Sequence, residues 1–446
     1  MTASFLWLAA VTGALSLLTP CVFPMLPITV AYFNGNAGRS NAHAFRHALL
    51  FASGIVVTFT ALGLGLAILI GASGLSRFAS NPWVNVGIGI VFVAFALSLL
   101  GLYDIPLPFG NKLLNRVDSS ARNREGNAVG SVLMGFAFTL ASFTCTAPFV
   151  GPLLVSAARG DWMRPLAGMA VFSIVFASPF FILALVPRWT TALPRAGGWL
   201  QEVKVVVGLF EIAAAVKFFS NADLVWRTGI ISRNVALFVW IAMAAASAIY
   251  LAVVTRRATR SRTISRSLSW LSVTAAAGIA LWLTSGLSGR SLGEIEAFLP
   301  PPADVVVSPG GTGEAVALNW ILNNHEGALA MATMNNREVF IDFTGYTCTN
   351  CRWMEANMFS RADVSQKMSR FVLSRMYTDG EGPVYEAQQK FQEDNFGTVA
   401  LPLYAIVDHT GKTLRTFPGL TRSSSEFLRF LDGPHPRTIS ILARGN

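Results

Sequence analysis

Four cysteines carry the chemistry available to this sequence, and they fall into two settings. Cys348 and Cys351 form a Cys-x-x-Cys that follows a strand-like run, Glu338–Phe343, and leads into Cys351–Phe359, where apolar residues recur at helical spacing. A thiol at a helix start has its thiolate favoured by the dipole and by unpaired N–H groups, and the thiolate is the species that attacks disulfides. Cys348 is therefore the expected nucleophile and Cys351, one turn on, the thiol that resolves a mixed disulfide. The alternative, half of a zinc site, needs two more ligands, and the nearby His325 and His409 stand at unhelpful spacing. Cys21 and Cys145 lie instead inside long apolar runs, each followed at the third position by a proline, Pro24 and Pro148. A disulfide framework would not place two cysteines beside prolines in membrane segments and two in a Cys-x-x-Cys, so the count fits two redox pairs.

The neighbours of these sulfurs suggest supporting roles. Asp342, six residues before Cys348 on the predicted strand, should point inward beneath the thiols, where it either takes up a proton during exchange or serves as a cap or salt-bridge partner. Pro402 precedes another predicted strand, as a cis-proline facing the dithiol or as an edge-strand proline. Pro20, Pro24 and Pro27 around Cys21, and Pro148 and Pro152 after Cys145, each remove a backbone donor and should break or kink the helices that carry them. Unwound backbone at membrane depth is tolerated only where it is buried in protein or lines a wet cavity. Two interrupted apolar segments in matching positions of two halves point to a site near the midplane between inverted repeats. Glu211 is an acid within the sixth apolar run; it is either functional or paired with Lys204, seven residues earlier on the same face.

The elements that must position these residues divide the chain. It is 53% hydrophobic and 13% charged, with a mean hydropathy of +0.51, which describes a membrane protein with a soluble part attached. Apolar runs near 4–33, 48–71, 84–102, 128–156, 166–186, 203–219, 235–254 and 269–285 predict about eight spans. The formal charge of +10 comes largely from short loops, notably Lys112–Arg124 and Arg256–Arg266, which fall on one face of an eight-span arrangement and should be cytoplasmic. No basic face with interleaved aromatics argues for nucleic acid. Residues after about 286 would then lie outside the cytoplasm. Leu17–Cys21 resembles a lipoprotein cleavage site, but residues 1–20 contain no Lys or Arg and apolar sequence continues to Tyr32, so an uncleaved first span is expected. The resulting division is a transmembrane electron-transfer domain over 1–285, a Gly/Ser/Pro-rich flexible linker over 286–313, and a thioredoxin-like α/β domain over 314–446 with a hairpin at Leu403–Phe417 and a last helix at Ser424–Leu431.

With these residues in hand the chain resembles the transmembrane disulfide reductases of the DsbD, ScsB and CcdA kind. The membrane half matches through Thr19–Pro24, Cys145–Pro148, Val203–Gly208 and Lys217–Phe218, and the soluble half through Asp342, Cys348, Cys351 and Glu355, two acids that the family places beside its dithiol. The resemblance implies an electron relay without a bound cofactor: cytoplasmic thioredoxin reduces a Cys21–Cys145 disulfide, which reduces Cys348–Cys351, which reduces periplasmic proteins, with cytochrome c maturation factors among the possible recipients. It implies a multi-pass protein of the bacterial inner membrane with its C-terminal domain in the periplasm. A disulfide needs Cα atoms within about 7 Å, so the breaks at Cys21 and Cys145 should face one another, and exposure should alternate between the two sides. Two departures stand out: the N-terminal immunoglobulin-like domain of DsbD has no counterpart here, and Thr347 replaces the usual tryptophan before the first cysteine. The competing readings are a Cu(I) transporter with the cysteines as soft ligands, and an oxidase running the same chemistry in reverse.

Overall fold

The computed structural model describes residues 3–17, 41–102, 163–185, 199–257, 263–301 and 318–433, with scattered helical positions between 132 and 142. Cys21 and Cys145 lie outside the described residues, as do Pro20, Pro24, Pro27, Pro148 and Pro152. The chain forms two compact units, one of residues 1–75, 87–215 and 243–276, the other of residues 76–86, 216–242 and 277–446.

Among the described residues seven long helices precede the soluble fold: α1 (Ala3–Ser16), α2 (Asn41–Ser80), α3 (Pro82–Leu99), α4 (Met163–Leu185), α5 (Trp199–Trp226), α6 (Arg233–Arg257) and α7 (Thr263–Leu287). Among the described residues four stretches are long and apolar enough to cross a membrane, Phe45–Gly63, Pro82–Leu99, Arg233–Arg257 and Ser269–Leu287, and two apolar helices are shorter. The expected sixth span belongs to a longer helix, α5, which carries Glu202, Lys204, Glu211 and Lys217; the Glu211 side chain is buried. In the first unit Phe51, Phe59, Phe138, Phe172, Phe176 and Phe180 pack with Ala9 and Ile55 in one cluster. Helices come close there because glycine leaves room: a Cβ on Gly54 would lie 2.9 Å from the Val132 carbonyl oxygen, and one on Gly135 would lie 2.6 Å from that of Phe51. Between membrane helices, where apolar burial drives nothing, such close backbone packing is a main source of attraction.

Residues 286–301 differ from the flexible coil that their composition suggested. Gly293–Phe298 form a 3-10 helix, and Leu292, Ala297 and Leu299 are buried. Apolar side chains at suitable spacing pin a Gly/Ser-rich segment: Leu292 and Leu299 pack with Leu237 and Leu283, while Ala297 joins the cluster that holds Phe340 and Trp353. Residues 302–317 are outside the described part.

The soluble fold follows. Its elements are β1 (Trp320–Leu322), α8 (His325–Asn335), β2 (Val339–Thr344), α9 (Thr349–Trp353) continued by a π-helical turn over Met354–Phe359, α10 (Ala362–Met368), β3 (Val372–Tyr377), α11 (Pro383–Phe396), β4 (Leu403–Val407), β5 (Thr413–Pro418) and α12 (Ser424–Asp432). The five-stranded sheet has the order β1-β3-β2-β4-β5, with β1, β3 and β2 parallel and β4 and β5 antiparallel. Period-two alternation sends Val339, Ile341 and Phe343 to one face, with Ala405 and Met376, and Phe340 to the other, with Leu373, Tyr404, Ile406 and Phe427. Asp342 shares the Phe340 face, so the sheet places a carboxylate within a layer made mainly of apolar side chains.

Candidate functional site

Cys348 and Cys351 form a disulfide at the junction between the β2 loop and α9, with Cα atoms 5.3 Å apart. Cys348 is the N-cap: its sulfur accepts a hydrogen bond from the Cys351 amide at 3.1 Å. Cys348 is half-buried and Cys351 is 1% exposed, so an incoming partner meets Cys348 first. That difference in access fits the order expected from sequence, attack at the first cysteine and resolution by the second.

The loop that delivers Cys348 hangs on Asp379. Its carboxylate accepts from the amides of Tyr346 at 2.7 Å and Thr347 at 3.0 Å, and from the Thr347 hydroxyl at 2.9 Å. Burial pushes the Asp379 carboxyl up, and these donors offset only part of that rise. Gly345 makes the arrangement possible, because a Cβ there would sit 2.6 Å from Asp379 Oδ2. Thr347, the residue that stands in place of tryptophan, thus contributes a donor to the loop.

A charged cluster lies in the apolar layer that holds Phe340 and Tyr404. Asp342 stands in register with Arg375 on one side and Tyr404 on the other. Arg375 Nε donates to Asp342 Oδ2 at 2.9 Å, and its Nη2 is 3.7 Å from Glu355 Oε1. Arg352, the residue after Cys351, reaches Glu355 Oε2 at 2.9 Å and also donates to the Thr344 hydroxyl at 3.3 Å. Burial pushes the Asp342 carboxyl up to about 6, against the pull of Arg375. Arg375 also lies 4.0 Å from the centre of the Trp320 ring. Burial raises the Tyr404 hydroxyl well above its ordinary range, and this hydroxyl makes no hydrogen bond among the described residues. The Leu401–Pro402 peptide preceding β4 is cis.

Asp342 and Glu355 thus share Arg375, and Arg352, next to Cys351, joins Glu355 to the helix that carries the dithiol. The structure adds Arg352, Arg375 and Asp379, none of which the sequence reading singled out. Arg375 sits in a strand whose run, Val372–Tyr377, gives no outward sign that its charge is buried; the partner is supplied only by the β2–β3 register. Among the described residues no three His, Cys, Asp or Glu side chains converge as a metal ligand set. Cys21, Cys145, Pro24 and Pro148 are outside the described part, so their geometry is not seen.

Comparison with known proteins bears on both halves. Residues 2–222 match the family described as cytochrome C biogenesis protein transmembrane domain, and residues 326–433 match the thioredoxin-like domain family. Similar curated proteins include the thiol:disulfide interchange protein DsbD of Vibrio cholerae serotype O1, 27% identical over 365 residues that cover 80% of this chain and 55% of that protein. The DsbD of Haemophilus influenzae strain 86-028NP is 33% identical over 232 residues, covering 50% of this chain and 39% of that protein. The DsbD of Colwellia psychrerythraea is 26% identical over 366 residues, covering 81% of this chain and 57% of that protein. The chain spans about half the length, or less, of these relatives.

Proposed function

We propose that this chain carries reducing equivalents across a bacterial inner membrane by successive thiol–disulfide exchanges, a reading supported by the match of residues 2–222 to the cytochrome C biogenesis protein transmembrane domain family and of residues 326–433 to the thioredoxin-like domain family. In the last exchange the Cys348 thiolate attacks a recipient disulfide and forms a mixed disulfide, releasing one recipient thiolate. The Cys351 thiolate then attacks the Cys348 sulfur and releases the second recipient thiol. Two electrons and two protons pass to the recipient, and the Cys348–Cys351 disulfide is left. A Cys21/Cys145 dithiol reduces that disulfide and becomes a disulfide itself, which cytoplasmic thioredoxin reduces in turn. The recipients are periplasmic proteins with disulfides, cytochrome c maturation factors among them, and the thioredoxin-like domain faces the periplasm.

The local geometry gives each neighbour a task. Asp379 holds the loop so that Cys348 is presented at the helix start. Asp342, pushed up to about 6, is a carboxylate that can exchange a proton close to neutral pH as thiols become thiolates. Arg352 and Arg375 keep the Asp342–Glu355 pair from carrying uncompensated charge in an apolar layer.

The observation that carries this reading is the Cys348–Cys351 disulfide at a helix start on a thioredoxin-like sheet, in one chain with a DsbD-type membrane half. The test is a Cys351→Ser variant of the full chain, in which Cys348 can attack but nothing resolves the adduct. Mixed disulfides with periplasmic proteins, abolished by further replacing Cys348 with Ala, are expected on non-reducing gels. A Cys351→Ser protein that accumulates no such adducts refutes the exchange.

A further inference from the structure

The turn from Arg227 to Ser232, between α5 and α6, is built to hold a cation in one place. Asp223 accepts from the amides of Ile230 at 3.0 Å and Ile231 at 3.2 Å and from the Thr228 hydroxyl, which closes the turn on a buried carboxylate. The Trp226 ring packs edge-on against Trp83 at 5.1 Å, and Asn221 donates to Asn85 at 3.1 Å, tying the turn to the start of α3. Arg227 itself takes a left-handed backbone conformation, with φ at +56°, a rare state for a residue with a side chain.

The cation meets two tyrosines of the soluble fold, all within the second compact unit. Arg227 Nη2 donates to the Tyr346 hydroxyl at 3.1 Å, and the Tyr346 and Tyr385 hydroxyls are 3.3 Å apart. The guanidinium carbon stands 5.9 Å from the centre of the Tyr346 ring and 5.6 Å from that of Tyr385, within cation–π range of both. Tyr346 is two residues before Cys348, and its ring stacks on Tyr377 at 4.1 Å. A second cation, Arg77 near the end of α2, donates to Gln389 Oε1 at 2.7 Å and lies 3.5 Å from Glu386. Gln389 is 2% exposed although it sits on the same helix, α11, as the solvated Lys390. A glutamine buried on an outer helix of a small domain, receiving an arginine from elsewhere in the chain, marks a covered surface.

We propose that Arg227 and Arg77 form a docking site on the ends of the membrane helices for the thioredoxin-like domain, with the Tyr346–Tyr385 pair and the Glu386–Gln389 edge as its counterpart. Arg227 is the positioning residue. By gripping Tyr346 it fixes the loop that carries Cys348 in the place where this dithiol is recharged. The recharging role rests on the relay described above; the docking itself does not.

The test installs p-benzoylphenylalanine in place of Tyr385 in the full chain, in membrane vesicles, and irradiates it. The crosslink should fall within residues 223–232. Its yield should drop about tenfold in Arg227→Ala and in Arg227→Glu, which corresponds to ~1.4 kcal/mol and suits one charged hydrogen bond with a cation–π contact. Arg227→Lys, which keeps the charge over the rings, should stay within about threefold of the parent. In parallel, with Tyr385 intact, re-reduction of Cys348–Cys351 by the membrane half should slow about tenfold in Arg227→Ala while reduction by added dithiothreitol is unchanged. An undiminished crosslink in both Arg227→Ala and Arg227→Glu overturns the docking site, and an equal slowing with dithiothreitol overturns the positioning role. If the crosslink behaves as expected but re-reduction does not depend on Cys21 and Cys145, the relay fails and the docking site stands.

Discussion

Gly345→Ala is the smallest change that should disturb the dithiol without touching sulfur. The added Cβ would lie 2.6 Å and 3.1 Å from the two Asp379 carboxylate oxygens and 2.8 Å from the carbon between them. Relief to ordinary contact requires the carboxylate to retreat by about 0.8 Å, because repulsion rises steeply at such distances. Its bonds to Tyr346 N, Thr347 N and the Thr347 hydroxyl, at 2.7, 3.0 and 2.9 Å, cannot all survive that movement. Bonds to a charged group contribute ~1.5–3 kcal/mol each, so loss of one or two costs about 3 kcal/mol in local order. A cost of this size corresponds to roughly a hundredfold fall in amide protection. Hydrogen exchange of the oxidised full chain should therefore show Tyr346 and Thr347 exchanging about a hundredfold faster, with β2 and β4 unchanged. Cys348 should also react faster with an alkylating reagent once reduced, because the loop no longer holds it. If Gly345→Ala leaves both amides as protected as in the parent, Asp379 does not hold the loop and the account of how Cys348 is presented is wrong.

Three further outcomes follow from the buried cluster. The Asp342 carboxyl is raised from 3.8 to about 6 by burial, so the stability it contributes is full below about pH 4 and is lost as pH rises through 6. Asp342→Asn should remove up to about 3 kcal/mol of that loss, seen as a flatter thermal-unfolding midpoint between pH 4 and 7.5; an unchanged slope would contradict the assignment. Arg375→Met leaves Asp342 without its closest cation and should destabilise the domain by about 3–5 kcal/mol, whereas Arg375→Met with Asp342→Leu should recover most of it; equal instability of single and double variants would show that the pair is not coupled. Tyr404→Phe removes a buried hydroxyl with no partner among the described residues and should be neutral or stabilising by about 1 kcal/mol in chemical denaturation, while a clear loss would reveal a bond that this geometry lacks.

Much of the soluble fold was legible because its signals are local. The strand before the dithiol, the hairpin around Asp408–Gly411 and the last helix were expected at Glu338–Phe343, Leu403–Phe417 and Ser424–Leu431, and they occur at Val339–Thr344, Leu403–Pro418 and Ser424–Asp432. What escaped depends on register or on distant contacts. β1 is three residues long, too short to show alternation, and β3 carries Ser374 and Arg375 in the middle of a buried run. Nothing near Arg375 in sequence announces that Asp342 lies across from it, thirty-three positions away. Asp379 holds the Cys348 loop from beyond β3, a contact that only the folded chain reveals. Over 286–301 composition alone suggests a flexible coil because Gly, Ser and Pro are frequent there, whereas three buried apolar side chains and the Arg233–Glu296 ion pair, at 2.6 Å, hold it in place. Among the described residues of the membrane half, helices coincide with apolar runs such as 48–71, 84–102 and 235–254, and a long helix such as α5 extends beyond its apolar stretch at both ends.

The redox state of Cys348–Cys351 in living cells tests the central claim most directly. It can be trapped by acid quenching and alkylation with a thiol reagent that adds mass. With the parent chain and an active cytoplasmic thioredoxin the pair should be found largely reduced, and it should become oxidised in Cys21→Ala, in Cys145→Ser and in cells lacking thioredoxin. A pair that stays reduced in Cys21→Ala and Cys145→Ser would contradict a relay through the membrane half, whatever the soluble domain does on its own.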